Sequence, residues 1–150
     1  MIGYSLITSV SKLSFVRVHL WLIKNMYDKK MKLDDITYEI RGAVFEVNKI
    51  LGSGFLEKVY ENALQIELKN RGLKAASQVP LKVTYKDQIV GDYFADIVVE
   101  DKVLVELKTV DKVSGIHEAQ LLNYLKATGI QVGLLINFYH PKVEIKRFIL

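Results

Sequence analysis

The segment 132–136 constrains the fold more than any other part of this chain, because it is apolar on successive residues. A strand with one face in water alternates apolar and polar residues, whereas successive apolar residues indicate a strand that is covered on both faces. Covering both faces requires helices on each side of the sheet. The segment therefore predicts an α/β architecture in which a β-sheet is flanked by helices.

The surrounding patterns predict the element order ααβββαββ and a mixed β-sheet. Helical segments are recognised by a period of 3.6 residues, and strands by alternation and by β-branched or aromatic residues between turn signals. The second helix has Leu56, Val59, Ala63 and Ile66 on one side. The predicted segments are helices over 36–51 and 55–71, strands over 79–85, 89–100 and 103–108, a helix over 115–128, and strands over 132–136 and 143–149.

The net charge of +4 is unevenly distributed along the 150 residues. All of the excess lies in residues 1–30, and basic and acidic residues balance in residues 31–150. We expect residues 1–30 to be an extension that is disordered or arises from a misassigned start, or alternatively a basic amphipathic arm. Residues 31–150 are expected to form a single domain. Its net charge gives no argument for a nucleic-acid partner.

Composition limits the chemistry that the chain can perform. It contains no cysteine, which excludes disulfides, thiolate metal sites and cysteine nucleophiles. We expect a cytoplasmic protein. No apolar run near the N-terminus approaches the roughly 20 residues of a membrane-spanning helix, so no membrane partner is predicted.

Three charged residues stand out in two adjacent predicted strands. Glu106 and Lys108 share one face of a strand that is otherwise Val and Leu, and the preceding strand brings Asp96 alongside. Buried carboxylates are costly unless they are compensated, and a hard cation such as Mg²⁺ compensates them with few protein ligands. Lys108 would then position the attacking water of a phosphoryl-transfer reaction. The alternative is a cross-strand ion pair near a sheet edge.

Four further residues are candidates with strong structural alternatives. Glu57 is the third residue of a helix whose N-cap is Gly54, where a carboxylate normally stabilises the helix end. Tyr60 shares its face and is equally well explained as a half-buried core aromatic. Gln120 and Tyr124 belong to a polar stripe that either faces solvent or leans over the site.

These residues resemble the motifs of a known family. The segment GFLEKVY at 54–60 is similar to the signature of the GxxExxY proteins, and GDYFADIVVEDKVLVELK and HEAQLLNYLKATG are similar to the family's other hallmarks. The resemblance extends from about residue 33 to residue 150. The GxxExxY family is assigned to the PD-(D/E)XK nuclease superfamily, so the resemblance implies a restriction-endonuclease-like core.

The resemblance also implies roles for individual residues. Asp96 and Glu106 would bind Mg²⁺ or Mn²⁺ together with Glu57, and Lys108 would be the catalytic lysine. Gln120 and Tyr124 resemble a Q-x-x-x-Y element that, with Tyr60, would bind the substrate. The implied activity is metal-dependent hydrolysis of phosphodiester bonds of DNA or RNA, and of the two partners we expect DNA more than RNA.

Two alternatives to this interpretation remain at the level of sequence. The balanced charge of residues 31–150 is also compatible with a non-catalytic module that binds nucleic acid or protein on the same fold. The apolar final strands, in turn, are compatible with a homodimer.

Overall fold

The computed structural model describes residues 31–150, and the expectations for residues 1–30 lie outside this range. The predicted element order and α/β class are confirmed. The elements are α1 (Leu33–Leu51), α2 (Glu57–Asn70), β1 (Ala75–Tyr85), β2 (Gln88–Val99), β3 (Val103–Lys108), α3 (Gly115–Thr128), β4 (Val132–Asn137) and β5 (Glu144–Ile149). No helix within residues 31–150 is long and apolar enough to cross a membrane.

The five strands form one mixed sheet in the order β1-β2-β3-β4-β5. Only β3 and β4 are parallel, and the other neighbours are antiparallel. Every residue of β4 is buried, as its unbroken apolar sequence predicts. Helix α3 provides the crossover between the parallel strands β3 and β4, which requires a connection of this length.

The hairpin of β1 and β2 extends well beyond the rest of the sheet. Strand β2 is twelve residues long, but it pairs with β3 only from Ile97 to Val99. A register shift between Val83 and Thr84 lies opposite Gly91 and Ile89 of β2. The outer part of the hairpin therefore forms an arm that β3 does not support.

The two faces of the sheet carry different helices. Helix α3 packs on one face through a cluster of buried residues that includes Leu104 of β3 and Leu121 and Leu125 of the helix. Helices α1 and α2 pack against each other, and both contact β3. Because side chains alternate along a strand, Glu106 and Lys108 project to the same side as Leu104, which is the α3 side.

Helix α2 differs from its prediction in its start and in its buried side. It begins at Glu57 with Leu56 as N-cap, not two residues earlier after a Gly54 cap. Leu56 and Ile66 are largely exposed, whereas the buried residues are Tyr60, Glu61, Leu64 and Leu68. The Tyr60 ring stacks on Phe138 with a centroid distance of 4.3 Å, and this contact with a distant segment fixes the rotation of the helix.

Candidate active site at the end of strand β3

The predicted charged residues lie at the carboxyl end of β3, in the middle of the sheet. Lys108 ends the strand and pairs in register with Asn137, which ends the parallel strand β4. In α/β sheets, ligands bind beyond the carboxyl ends of parallel strands. The location therefore favours a functional site over a random placement of charges.

Asp96 sits where the sheet ladder is interrupted. The pairing of β2 with β3 ends at Ile97 and Val105, and the Asp96 Oδ2 atom accepts a hydrogen bond of 2.7 Å from the backbone N–H of Leu107. On the other side, Gln78 lies between two paired residues of β1 and adopts a positive φ of 51°. The Asp96 side chain thus takes the place of a ladder hydrogen bond and holds the end of β3.

Glu106 and Lys108 form an ion pair within one strand. The Lys108 Nζ atom donates to Glu106 Oε1 at 2.9 Å, and Glu106 is 3% exposed. The predicted alternative of a cross-strand pair near a sheet edge is wrong, because both residues belong to the central strand. The second carboxylate atom, Glu106 Oε2, is buried and has no hydrogen-bond partner in the described part of the chain.

The environment of Glu106 opposes its ionised form. Burial raises its pKa, and the neighbouring Asp96 charge raises it further, to about 7, although Lys108 acts in the opposite direction. Burial likewise raises the pKa of Asp96, against the hydrogen bond from Leu107 and the charge of Lys108. Two carboxylates with raised pKa values at one place indicate a missing positive charge.

Lys108 remains a cation in this environment. Burial alone would lower its pKa, but the hydrogen bond and charge of Glu106, together with the charges of Glu57 and Asp96, raise it above the usual value. An ammonium group of this kind can donate hydrogen bonds to a phosphate oxygen or to water. It is not suited to act as a general base near neutral pH.

The donor set around Glu106 fits a hard divalent cation. Oxygen ligands are what Mg²⁺ and Mn²⁺ prefer, and the unpartnered Glu106 Oε2 is a buried acceptor that a cation would satisfy. Within residues 31–150, however, no three Asp, Glu, His or Cys side chains form a ready metal cluster. Asp96 and Glu106 are two neighbouring carboxylates, since the charge of Asp96 raises the pKa of Glu106. Mg²⁺ usually keeps several waters and needs only one or two carboxylates.

Glu57 is near these residues but does not complete a three-carboxylate cluster. Its Oε1 atom accepts a hydrogen bond of 3.2 Å from the backbone N–H of Thr109, directly after Lys108. The charge of Glu57 still raises the pKa values of Asp96, Glu106 and Lys108. The assignment of Glu57 as a third ligand stays a prediction, and the observed bond of its Oε1 atom holds the segment that follows β3.

Tyr60 lies in the core and does not face the candidate site. The side chain is fully buried, its hydroxyl donates to the Gly52 carbonyl at 2.9 Å, and it accepts a hydrogen bond of 3.2 Å from the Phe55 N–H. The prediction that Tyr60 binds substrate is therefore wrong, because neither the ring nor the hydroxyl is accessible. Its hydroxyl instead fixes the loop that precedes Glu57.

Gln120 and Tyr124 are brought to the site by α3. The Gln120 Nε2 atom donates to the Tyr124 hydroxyl at 2.8 Å. Burial raises the pKa of Tyr124, against the hydrogen bond from Gln120, and the Glu106 charge adds to the rise. Tyr124 packs in the buried cluster that includes Leu104, and Glu106 and Lys108 project from β3 on that side. Helix α3 therefore covers the face of the sheet that carries the Glu106–Lys108 pair.

Two polar residues of this region, Glu61 and Asn137, were not found from sequence. Glu61 is buried and accepts hydrogen bonds from Lys58 at 2.7 Å and from Gln78 at 2.9 Å, and its charge also raises the pKa of Asp96. Asn137 bonds both the N–H and the carbonyl of Val110, which anchors the loop after β3. Their only sequence signals are a glutamate one turn after Glu57 and an asparagine that ends an apolar strand.

Comparisons with known proteins agree with this description. Residues 34–148 match the family model of the PD-(D/E)XK nuclease superfamily. Part of the chain also resembles a solved structure, the crystal structure of SSO0001, at 19% sequence identity and a TM-score of 0.50. The match covers 61% of this chain and 48% of that one, about half of its length, and it concerns the fold alone. No curated protein matches the chain significantly.

Proposed function

The chain belongs to the PD-(D/E)XK nuclease superfamily, and we propose that it is a metal-dependent nuclease that hydrolyses phosphodiester bonds in nucleic acid. Within the superfamily we assign it to the GxxExxY proteins, on the basis of Gly54, Glu57 and Tyr60. The proposed cofactor is Mg²⁺ or Mn²⁺, and the proposed substrate is DNA rather than RNA.

The observation that carries the proposal is the state of Glu106. Its Oε2 oxygen is buried without a hydrogen-bond partner among the described residues. Such an oxygen destabilises the folded state by about 1–3 kcal/mol, and by more when it is charged, because its lost hydration is not replaced. The pKa of this group is already raised to about 7 by burial and by Asp96. A bound divalent cation would remove both costs, since it satisfies the free oxygen and neutralises the pair.

The chain's own residues divide the work around this position. Asp96 and Glu106 would hold the cation, which when bound supplies Lewis-acid stabilisation of phosphate oxygens and makes water more acidic. Lys108 would donate hydrogen bonds to the phosphoryl group or to the attacking water as negative charge develops. Glu57 would bind the backbone N–H of Thr109, the residue after Lys108, and so would fix the position of the backbone at the end of β3.

Helix α3 would supply the contacts to the substrate. The amide of Gln120 and the hydroxyl of Tyr124 are bonded to each other, and Tyr124 packs on the side of β3 from which Lys108 projects. A phosphodiester placed beside Lys108 would meet these groups next, so we assign Gln120 to a phosphate and Tyr124 to a sugar or base.

A cleavage panel tests the proposal directly. Purified protein is incubated with single- and double-stranded DNA and RNA in the presence of Mg²⁺, Mn²⁺ or chelator. We expect metal-dependent cleavage that Lys108→Ala reduces on the order of a hundredfold or more, as expected when a donor to the developing charge is lost. Lys49→Ala is the control, because this exposed lysine of α1 lies outside the site. Cleavage that persists unchanged in Lys108→Ala would assign the activity to a contaminant and refute the proposal.

The second candidate is a non-catalytic module that binds nucleic acid or protein. It is favoured by one observation, which is that residues 31–150 contain no ready cluster of three metal-ligating side chains. Lys108 would then act as a permanent counterion that replaces the metal. This alternative predicts that the panel gives no cleavage with either metal, and that Asp96→Asn leaves partner binding unchanged.

A further inference from the structure

A groove separates the outer part of the β1–β2 hairpin from helix α3. Its volume is about 880 Å³, and Tyr93 of β2 and Tyr124 of α3 both line it. The two rings approach each other with a centroid distance of 5.8 Å. Tyr124 also packs in the buried cluster that includes Leu104, and Glu106 and Lys108 project from β3 on the same side, so the groove lies on the face of the sheet that carries the candidate active site.

The walls of the groove combine apolar, aromatic, amide and cationic side chains. Apolar residues such as Ile116 line it together with the two tyrosines and the amides of Gln120 and Asn123, and the charged lining residues are Lys82 and Lys126. None of the described residues that line it carries a carboxylate. Asp92 lies opposite Lys82 in the hairpin register, so the argument for a phosphate contact rests mainly on Lys126. Residues 31–150 have a net charge of zero. The excess of positive charge in the groove is therefore a local feature and not a property of the whole surface.

Tyr93 is held as a platform for stacking. It is 48% exposed, although its ring is large and apolar. A Cβ atom at Gly91 would lie 2.9 Å from this ring, so the glycine leaves the space that the ring occupies along the strand. Tyr124 contacts the ring from the helix side. An exposed aromatic ring in a fixed position beside a cationic groove is the arrangement that single-stranded nucleic acids use for stacking.

We infer that this groove holds an unpaired strand of the nucleic acid next to the scissile phosphate, with a base stacked on Tyr93 and a phosphate near Lys126. The inference rests on the proposed function and assigns its substrate class. Pockets of roughly 300–1,000 Å³ enclose ligands of drug size, which is the size of one or two nucleotides. A duplex offers no free base face to Tyr93, because its bases are paired and stacked inside the helix and must be extruded before a protein can hold them.

Binding measurements test the groove separately from the chemistry. The full chain carrying Lys108→Ala is titrated in Mg²⁺ against fluorescein-labelled oligothymidylate or oligouridylate of about a dozen nucleotides, and against a DNA duplex of the same length, by anisotropy. The duplex is expected to bind at least tenfold more weakly. Tyr93→Ala should weaken single-strand binding roughly five- to hundredfold, which is the range for the loss of one stacked base. In Lys126→Ala, the slope of the logarithm of the binding constant against the logarithm of the salt concentration should become shallower by about 0.7. This is the change expected when one phosphate contact on a single strand is lost.

Two matched controls and a second variant keep the test decisive. Lys69 occupies the last turn of α2 as Lys126 occupies that of α3, and Tyr38 is an exposed tyrosine of α1. Replacing either by alanine should leave binding unchanged. Gly91→Ala retains the Tyr93 side chain but displaces its ring, so it should weaken binding several-fold with an unchanged circular dichroism spectrum.

The possible results separate this inference from the proposed function. If Tyr93→Ala and Lys126→Ala bind like the parent, or if the duplex binds as tightly as the single strand, the inference is overturned even when the wild type cleaves. If the wild type cleaves nothing but both variants lose single-strand binding, the groove assignment stands and the nuclease proposal fails.

Discussion

Tyr60 and Glu106 are both buried and polar, and both lie in segments that sequence motifs mark, but their surroundings differ. The Tyr60 hydroxyl donates to Gly52, accepts from Phe55, and lies under a ring that stacks on Phe138. Glu106 has one oxygen bonded to Lys108 and the other without a partner among residues 31–150. The Tyr60 hydroxyl therefore has all of its hydrogen bonds within the fold, whereas the Glu106 carboxylate does not.

This difference separates residues that maintain the fold from residues that are available for chemistry. A polar group whose hydrogen bonds are all made inside the protein has no capacity for a ligand, whereas a buried group with an unused acceptor has been retained at a cost. We therefore interpret the GxxExxY segment around Tyr60 as the support of the site, and Asp96, Glu106 and Lys108 as its reactive part. The comparison predicts that substitutions at the two positions change stability in opposite directions.

The largest expected change in stability is a gain from Glu106→Gln above pH 7. The folded-state pKa of Glu106 is raised from 4.5 to about 7, so its contribution to stability is fully present below pH 4.5 and is lost as the pH rises to about 7. Glutamine is uncharged, like the protonated carboxyl group, so the variant does not lose this stability between pH 4.5 and 7. We expect the metal-free variant to be more stable than the wild type at pH 8, on the order of 2–3 kcal/mol.

Urea unfolding at pH 5 and pH 8, in chelator, measures this difference. The gain should be small at pH 5 and large at pH 8, and Glu46→Gln on α1 serves as a control carboxylate outside the site. A Glu106→Gln variant that is less stable than the wild type at pH 8 would mean that the carboxylate serves the fold, and the contrast with Tyr60 would disappear.

A smaller effect of opposite sign is expected for Tyr60→Phe. Removal of the hydroxyl leaves the Gly52 carbonyl and the Phe55 N–H without this partner, while the stack on Phe138 is retained. We expect a loss of about 1 kcal/mol in the free energy of unfolding. Metal affinity should remain within a few-fold of wild type, because Tyr60 does not face the site.

Thermal or urea denaturation and metal titration together check this prediction. Tyr139→Phe is the control, since Tyr139 is 47% exposed. If Tyr60→Phe left stability unchanged but abolished metal binding, Tyr60 would belong to the reactive part and our division would be incorrect.

Much of the fold was predictable because its signals are local. The strand over 103–108, the helix over 115–128 and its stop at Gly129 were predicted with the observed bounds, since alternation, helical period and a left-handed glycine are properties of neighbouring residues. The grouping of Asp96, Glu106 and Lys108 was also accessible, because one tight turn connects β2 and β3 and fixes their register.

The rest depends on contacts between distant segments. The orientation of α2 follows from the Tyr60–Phe138 stack, which joins residues far apart in sequence, and period alone favoured the side of Leu56 and Ile66. The role of Asn137 depends on the pairing of β4 with β3. The unpartnered Glu106 Oε2 is likewise a result of packing, so sequence identified the residue but not the free acceptor.

The proposed function depends on Glu106 keeping an acceptor free for a divalent cation. Calorimetric titration of Mn²⁺ and Mg²⁺ into metal-free wild type and Glu106→Gln at pH 8 measures this. We predict saturable binding to the wild type that weakens as the pH falls below 7, because protons compete for Glu106, and at least a tenfold loss of affinity in Glu106→Gln. If the wild type binds no metal, or if both proteins bind it equally, Glu106 does not hold a cation.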